Sequence, residues 1–310
     1  MILSTLGRSE GCEQTLSLMD ELKLKIDNQK DKSLSRIHSV LEYLCWVKTI
    51  NPVIGAGGLE WQQTHMYYRG QANDVWGLLP GLFRKDSNDT LLEEYKLLKR
   101  ARLRFWNTLS QMPTFLEKLV YLQHFGLPTR LLDVTFNPLV ALYMACVDES
   151  LHDVDGKVFF GYACDGECPN IVELISRLVF ESNEEVQDYH VRDFVEKLGN
   201  KTSLADFSRP YFVFPPINNP RIESQDGAFI MAPLLSLDAG GASYCRNVKS
   251  LDDTTYFKQG DYVIIDASAK KVIMEELATL GIDSGTIYRD TPHKIEALVK
   301  KLKSETPKLL

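Results

Sequence analysis

The chain has 310 residues, of which 44% are hydrophobic and 25% are charged, and this balance is typical of a folded globular protein rather than a disordered one. Its formal net charge of −7 argues against an affinity for nucleic acid over the whole surface, although a local basic face is compatible with it. No apolar run approaches the roughly 18–20 residues of a membrane-spanning helix, and the N-terminus lacks the basic and then apolar order of a secretory signal. Because the six cysteines are scattered, we expect a cytoplasmic protein with reduced thiols and neither membrane contact nor a metal site.

The N-terminal part of the chain is predicted to be helical. Residues 12–26 carry apolar side chains at helical spacing, and the polar stretch 27–33 has the composition of a linker. A second helix is predicted from Leu34 to about Thr49. We therefore divide the chain into a helical extension, residues 1–33, and a main domain, residues 34–310.

The next stretch is predicted to contain one short strand and two helices. Met66–Gly70 has the pattern of a strand that ends in glycine, and Trp76–Phe83 that of a loop that packs apolar side chains. Leu91–Leu109 has the apolar spacing of one long helix, and residues 114–124 that of another.

The segment Gln123–Cys146 is the most informative part of the chain. Gly126 and Pro128 end the preceding helix, and a short strand begins at Leu131. Pro138 then starts an apolar helix, because proline suits the first helical turn, where its missing N–H is not needed. A strand, a polar turn and a buried helix in so few residues place side chains at the end of a sheet, where ligands bind in many folds.

The C-terminal half is predicted to alternate strands and helices irregularly, which indicates an α+β fold rather than a doubly wound parallel sheet. A charged helical insertion is expected at about residues 170–200. The other predicted elements are strands at Lys157–Ala163, Tyr211–Phe214 and Tyr262–Asp266, a loop followed by a strand within Arg221–Met231, and helices at 268–280 and 292–303.

Four segments resemble the FRG domain family. The first motif, Tyr68–Arg84, is similar to the signature that names the domain, and the second motif, Gln123–Tyr143, is similar to its most specific stretch. The third motif, Arg221–Phe229, and the fourth motif, Gly281–Asp290, complete the resemblance. The fourth motif ends in Tyr-Arg-Asp, where the family more often has Phe-Pro-Asp.

The order of these motifs also resembles that of the ADP-ribosyltransferase fold, which has a split β-sheet core with flanking helices. In that fold three separated strands line a cleft for NAD, so the resemblance implies NAD as the cofactor. It places Arg69 against the ribose and phosphates of NAD, and Gly70 and Gln71 beside them.

The second and third motifs would supply the remaining NAD-binding and catalytic groups. The resemblance assigns Asp133 a catalytic role and places Thr135 at the polar turn, while Tyr143 would stack on nicotinamide. Cleavage of the nicotinamide–ribose bond builds positive charge on the ribose, and a carboxylate stabilises that charge. The third strand of the fold usually carries a glutamate for this purpose. Its candidates here are Glu223, Gln225, which matches the residue typical of the FRG family, and Asp226. His124 and Arg130 are further candidate NAD-binding residues.

Each candidate also has a structural interpretation. Arg69 could pair with Asp133, and Arg130 could brace the turn beside it. His124 could cap a helix, and Tyr143 could belong to the core. The run Gln225–Gly227 is equally compatible with a simple turn before the next strand.

A basic helix is the candidate nucleic-acid surface. Its cations are interleaved with leucines and followed by Phe105 and Trp106. A solvated helix face is the commonest explanation of such a run, but on an otherwise acidic protein it is the best candidate for contact with phosphates and stacking on bases. The cations are Lys96, Lys99, Arg100, Arg102 and Arg104.

These patterns lead to one leading hypothesis. It is an NAD-dependent ADP-ribosyltransferase toxin of a bacterial toxin–antitoxin or phage-defence type system, which modifies a macromolecule, RNA or single-stranded nucleic acid being favoured over protein. Because such an activity harms the cell that contains it, a neutralising antitoxin and a chaperone are the expected partners. The alternative is a non-catalytic regulatory module that binds a nucleotide or a partner. A nuclease that uses His124 and Asp133 is less well supported, since no metal-ligand cluster accompanies them.

Overall fold

The computed structural model describes a large part of the main domain. The described residues are 36–50, 64–84, 94–164, 169–184, 186, 188–198, 203–214, 220–238, 241–244, 251 and 261–288. The predicted extension 1–33, with its helix at 12–26 and linker at 27–33, lies outside them, as does the predicted helix at 292–303.

The described chain contains both helices and strands in an irregular order, and the fold is mixed α+β. The helices are α1 (Val40–Ile50), α2 (Glu94–Arg104), α3 (Trp106–Leu109), α4 (Phe115–His124), α5 (Pro138–Cys146), α6 (Pro169–Glu181), α7 (Asp188–Leu198), α8 (Pro220–Ser224), α9 (Lys270–Thr279) and α10 (Ser284–Ile287). The strands are β1 (Arg36–Ile37), β2 (Thr64–Gln71), β3 (Leu131–Thr135), β4 (Gly156–Cys164), β5 (Tyr211–Val213), β6 (Gly227–Met231), β7 (Leu235–Asp238), β8 (Gly241–Tyr244) and β9 (Tyr262–Ile265).

Seven of these strands form one mixed sheet in the order β1-β9-β4-β2-β3-β6-β5, and β7 and β8 form a separate hairpin. β1 runs parallel to β9, and the other neighbours are antiparallel. β2 pairs with β4 along its whole length, but it pairs with β3 only between Tyr68 and Thr135. β2 and β3 therefore diverge at the centre of the sheet.

Two hydrophobic clusters flank this divergence. On the β2 side, α1, α5 and α9 pack against a cluster that includes Tyr68 and Phe160. On the β3 side, α2, α4 and α6 pack against a cluster that includes Leu131 and Phe229.

The turn between β3 and α5 forms as the sequence predicts. The Asn137 side chain accepts hydrogen bonds from the N–H groups of Leu139 (2.9 Å) and Val140 (3.4 Å), and Pro138 occupies the first helical turn. The preceding helix α4 begins with a capping box of Thr114 and Glu117.

Three of the predicted elements were wrong in their limits. Instead of a helix from Leu34, the structure has strand β1 and then α1, because Ser39 caps the helix by accepting a hydrogen bond from the N–H of Glu42 (3.2 Å). The predicted long helix divides at Phe105 into α2 and α3. The predicted loop in the third motif contains the short helix α8.

Candidate functional site

A cavity of about 830 Å³ lies where β2 and β3 diverge. Residues of β2, β3, β6, α4 and α5 line it, and all four FRG-like motifs contribute to it. Its volume is within the ~300–1,000 Å³ that is usual for small-molecule and cofactor sites.

Arg69 enters this cavity from β2. Its Nη1 donates a hydrogen bond to the backbone oxygen of Asp133 (2.6 Å) and lies 3.8 Å from the Asp133 carboxylate. The Arg69 side chain is only 14% exposed. Burial lowers its pKa to about 10, although Asp133 opposes this effect, and the positive charge of Arg84 lowers the pKa further.

Three buried polar atoms at this cavity have no hydrogen-bond partner among the described residues. They are Nε of Arg69, Oε1 of Gln71 and Nε2 of Gln225. Buried polar groups in folded proteins are almost always paired, because an unpaired group costs about 1–3 kcal/mol. Donors and an acceptor left unused around one cavity are therefore what a polar ligand site requires.

The Asp133 carboxylate is held in place by a short chain of hydrogen bonds. Its Oδ1 accepts from Nε2 of Gln123 (2.8 Å), and Oε1 of Gln123 accepts from the hydroxyl of buried Thr129. The Thr129 hydroxyl in turn accepts from the N–H of Leu131 (3.1 Å). The carboxylate lines the cavity and its side chain is 62% exposed, so it can meet a ligand without a change in its support.

Gly70 has a packing role in addition to its position at the cavity. A Cβ at this position would lie 1.8 Å from the backbone oxygen of Ala141 and 2.9 Å from the backbone N of Ala145. The absence of a side chain therefore lets β2 pack directly against α5, which carries both alanines.

Thr135 and Gln225 join the second motif to the third. The Thr135 hydroxyl donates to the backbone oxygen of Gln225 (2.6 Å) and accepts from the N–H of Asn137 (3.0 Å). Asp226 has a φ of +47°, a conformation that aspartate tolerates better than most residues, and it forms the turn into β6. Gln225 lines the cavity, whereas the exposed Glu223 does not.

Two predicted NAD-binding residues are buried outside the cavity lining. Arg130 is fully buried, where it forms an ion pair with Glu94 and donates to the backbone oxygen of Pro233 (2.8 Å). Tyr143 lies in the hydrophobic cluster on the β2 side, and burial raises its pKa well above the usual range. His124 does line the cavity, and its ring contacts Phe125 edge to face with centroids 4.9 Å apart.

The predicted nucleic-acid-binding residues lie on α2, away from the cavity lining. Lys96, Lys99, Arg100 and Arg104 are exposed. Leu103, Phe105 and Trp106 beside them are also exposed, at 73%, 48% and 59%. Arg102 differs from the other cations, because it donates to the backbone oxygens of Phe180 (3.2 Å) and Glu181 (3.0 Å) at the end of α6.

Several residues that line the cavity received no role from the sequence. Arg84 and Trp76 belong to the first motif, Gln123 to the second and Tyr288 to the fourth. The signal that could have found them was their membership of the same motifs as the residues that were chosen.

The described residues contain no helix that is long and apolar enough to cross a membrane. They also contain no group of three or more histidine, cysteine, aspartate or glutamate side chains that could hold a metal ion.

The fold and the site together define an α+β protein with a cavity lined by polar side chains at the centre of its sheet. Residues 64–154 match the family model of the FRG domain, which confirms the resemblance of the first and second motifs. No curated protein and no solved structure matches the chain.

Proposed function

We propose that this protein is an NAD-dependent ADP-ribosyltransferase that modifies a macromolecule. The observation that carries the proposal is a set of buried polar atoms of Arg69, Gln71 and Gln225 around one cavity, which have no hydrogen-bond partner among the described residues. They come from the first and third motifs and face the same space as the Asp133 carboxylate of the second. An oxygen-rich ligand that also carries amide groups supplies acceptors for the two nitrogens and a donor for the glutamine oxygen.

The chain has suitable residues for each part of NAD. The Arg69 guanidinium would bind phosphate or ribose oxygens, since its charge and planar donors match them. Gln71 and Gln225 would bind hydroxyl and amide groups. The half-exposed Trp76 and the partly buried Tyr288 offer aromatic surfaces to a planar ring.

Bound NAD would supply an ADP-ribosyl group through its nicotinamide–ribose bond. In the proposed reaction, Asp133 places a negative charge beside the ribose as that bond weakens. Gln123 keeps the carboxylate pointed into the cavity through its 2.8 Å hydrogen bond. Arg69 holds the rest of the ligand so that the ribose lies at this carboxylate.

The exposed cations of α2 and the exposed aromatics that follow it support RNA as the acceptor, with protein as the second choice. Lys96, Lys99, Arg100 and Arg104 would contact phosphates while Phe105 and Trp106 stack on unpaired bases. A toxin of a toxin–antitoxin or phage-defence type system, held inactive by an antitoxin and assisted by a chaperone, is the biological setting that we propose.

The test is to incubate the purified chain with NAD labelled in the adenylate group and with separate RNA, DNA and protein pools. We expect label on RNA and release of nicotinamide. Arg69→Ala should abolish both, and it should also abolish toxicity in cells. Arg177→Ala is the matched control, because Arg177 lies in a surface ion pair with Glu181. Absence of both label and nicotinamide would reject the enzyme, and full activity in Arg69→Ala would make Arg69 a scaffold residue.

One observation favours the alternative of a non-catalytic binding module. The third motif brings Gln225, and not the carboxylate of Glu223, to the cavity. Substitution of Glu223, Gln225 and Asp226 one at a time separates the two functions. An enzyme loses turnover steeply at one position, whereas a binding module loses ligand affinity gradually and releases no nicotinamide at all.

A further inference from the structure

A second arginine, Arg84, faces the same cavity as Arg69. It follows the short helical turn Gly81–Phe83, and its Nε donates to the backbone oxygen of Leu79 (3.0 Å). This hydrogen bond fixes the base of the guanidinium, and no described residue forms a hydrogen bond with its two terminal nitrogens. Leu79 also lines the cavity, so the support of Arg84 belongs to the site as well.

The two guanidiniums bring two positive charges to one part of the cavity, whose lining also contains Asp133 and Asp148. Arg84 lies near enough for its charge to lower the pKa of Arg69. No carboxylate of the described residues forms an ion pair with Arg84, and Asp133 lies 3.8 Å from Arg69 while it accepts a hydrogen bond from Gln123. Two like charges beside one cavity, one of them buried, destabilise the empty site, and an anion between them removes that cost.

We infer that Arg69 and Arg84 form a subsite for a diphosphate group, and that Arg84 determines the specificity for ligands with two linked phosphates. This inference rests on the proposed function in one respect, since it takes the diphosphate to be part of a dinucleotide. Two planar guanidiniums can each bind one phosphate through paired hydrogen bonds, and their two positive charges balance the two negative charges of the diphosphate.

The experiment measures binding of inorganic pyrophosphate to the full chain by calorimetry, in metal-free buffer at constant ionic strength. We expect Arg84→Gln to weaken binding about 10- to 100-fold, which is the usual effect of losing hydrogen bonds to a charged group. Arg84→Lys should lie between the two, because it keeps the charge and loses the planar pair of donors. Arg177 lies in a surface ion pair with Glu181, so the control variant Arg177→Gln should bind pyrophosphate with the affinity of the wild type. Circular dichroism checks that all variants are folded.

The outcomes separate this inference from the proposed function. Loss of pyrophosphate affinity in Arg84→Gln supports the subsite even if the chain releases no nicotinamide from NAD, in which case the enzyme proposal alone fails. Equal affinity in the wild type and Arg84→Gln, no binding to the wild type, or an equal loss in Arg177→Gln overturns the subsite, whether or not ADP-ribose is transferred. A competition experiment between pyrophosphate and NAD then shows whether the two ligands share the subsite. It is monitored by the fluorescence of the half-exposed Trp76, with Trp76→Phe as the reference.

Discussion

Arg69 and Asp133 lie on neighbouring strands. The backbone oxygen of Asp133 lies closer to the Arg69 guanidinium than the Asp133 carboxylate does. The short hydrogen bond runs from the guanidinium to the backbone oxygen of Asp133 (2.6 Å), while the carboxylate is more distant at 3.8 Å. Substitution of the Asp133 side chain therefore leaves the main support of Arg69 in place. The exposed carboxylate is better suited to act on a ligand than to stabilise the fold, since exposed ion pairs contribute little to stability.

Asp133→Asn and Glu223→Gln form the first test at the scale of single residues. Because Asp133 lines the cavity and Glu223 does not, we expect Asp133→Asn to reduce nicotinamide release about 100-fold or more. Glu223→Gln should retain most of the activity. The free energy of unfolding should change by no more than about 0.5 kcal/mol in either variant, since both side chains are exposed. Loss of turnover in Glu223→Gln alone would return the catalytic role to the third motif.

Gly70→Ala tests the contact between β2 and α5. The new Cβ would lie 1.8 Å from the backbone oxygen of Ala141, so strand and helix must separate. We expect a loss of about 3 kcal/mol or more in the free energy of unfolding, measured by urea denaturation. The matched control is Gly81→Ala, whose Cβ would make an ordinary contact with Pro128 at 3.5 Å. A stability of Gly70→Ala within about 1 kcal/mol of the wild type would contradict this packing role.

At the scale of elements, the sequence predicted the features that depend on adjacent residues better than the features that depend on contacts between distant residues. Asn137 and Pro138 are themselves the start of α5, so the sequence predicts that helix directly. The hairpin of β7 and β8 was missed although Leu235 and Leu237 alternate with polar residues, which is the usual sign of a strand. No glycine or proline marks the break at Phe105, so the division of the long helix could not be predicted.

The same distinction applies to the candidate site. Arg69, Asp133 and Gln225 were chosen from motifs, and the structure brings all three to one cavity. Arg130 was a further candidate from the second motif, but its partner Glu94 lies 36 positions earlier in the chain. A single sequence contains no sign of such a pairing, because it depends on how α2 packs against β3.

The buried pair of Arg130 and Glu94 gives a prediction for these two elements. Nε of Arg130 donates to Glu94 (2.9 Å), both side chains are almost fully buried, and the pair connects α2 to β3. Arg130→Met removes the counter-ion of a buried carboxylate and should cost about 3–5 kcal/mol of unfolding free energy. Glu94→Leu should cost a similar amount for the same reason.

The double variant with Arg130→Met and Glu94→Leu distinguishes a buried ion pair from two independent packing contacts. Two apolar side chains no longer leave a charge in the core, so the double variant should be more stable than either single variant. Urea denaturation of all four proteins measures the coupling. Additive losses would show that the charges do not depend on each other.

At the scale of the whole molecule, charged side chains stabilise the edge of the sheet at β1. β1 has two residues, and its Arg36 reaches Asp155 and Asp266, each at 2.8 Å. Asp155 precedes β4 and Asp266 follows β9, so this arginine connects the ends of three strands. Close by, the buried Lys270 ammonium donates to the backbone oxygens of Ala72 (2.6 Å) and Leu151 (2.8 Å). Charged side chains thus hold this edge of the sheet, whereas polar atoms at the cavity have no partner among the described residues.

This edge gives the fold a specific dependence on acid. Hydrogen bonds from the Ser268 side chain and then from Arg36 lower the pKa of Asp266 from 3.8 to about 2. Because the folded pKa is the lower one, the stabilisation is fully present above about pH 4 and is lost as the pH falls towards 2. We expect the wild type to be more stable than Asp266→Asn at neutral pH, by an amount that shrinks as the pH falls below about 4. Urea denaturation of both proteins between neutral pH and pH 2 measures this difference, and Ser268→Ala should show a smaller loss over the same interval. A difference that persists unchanged to about pH 2 would mean that the charge of Asp266 does not contribute to holding the sheet edge.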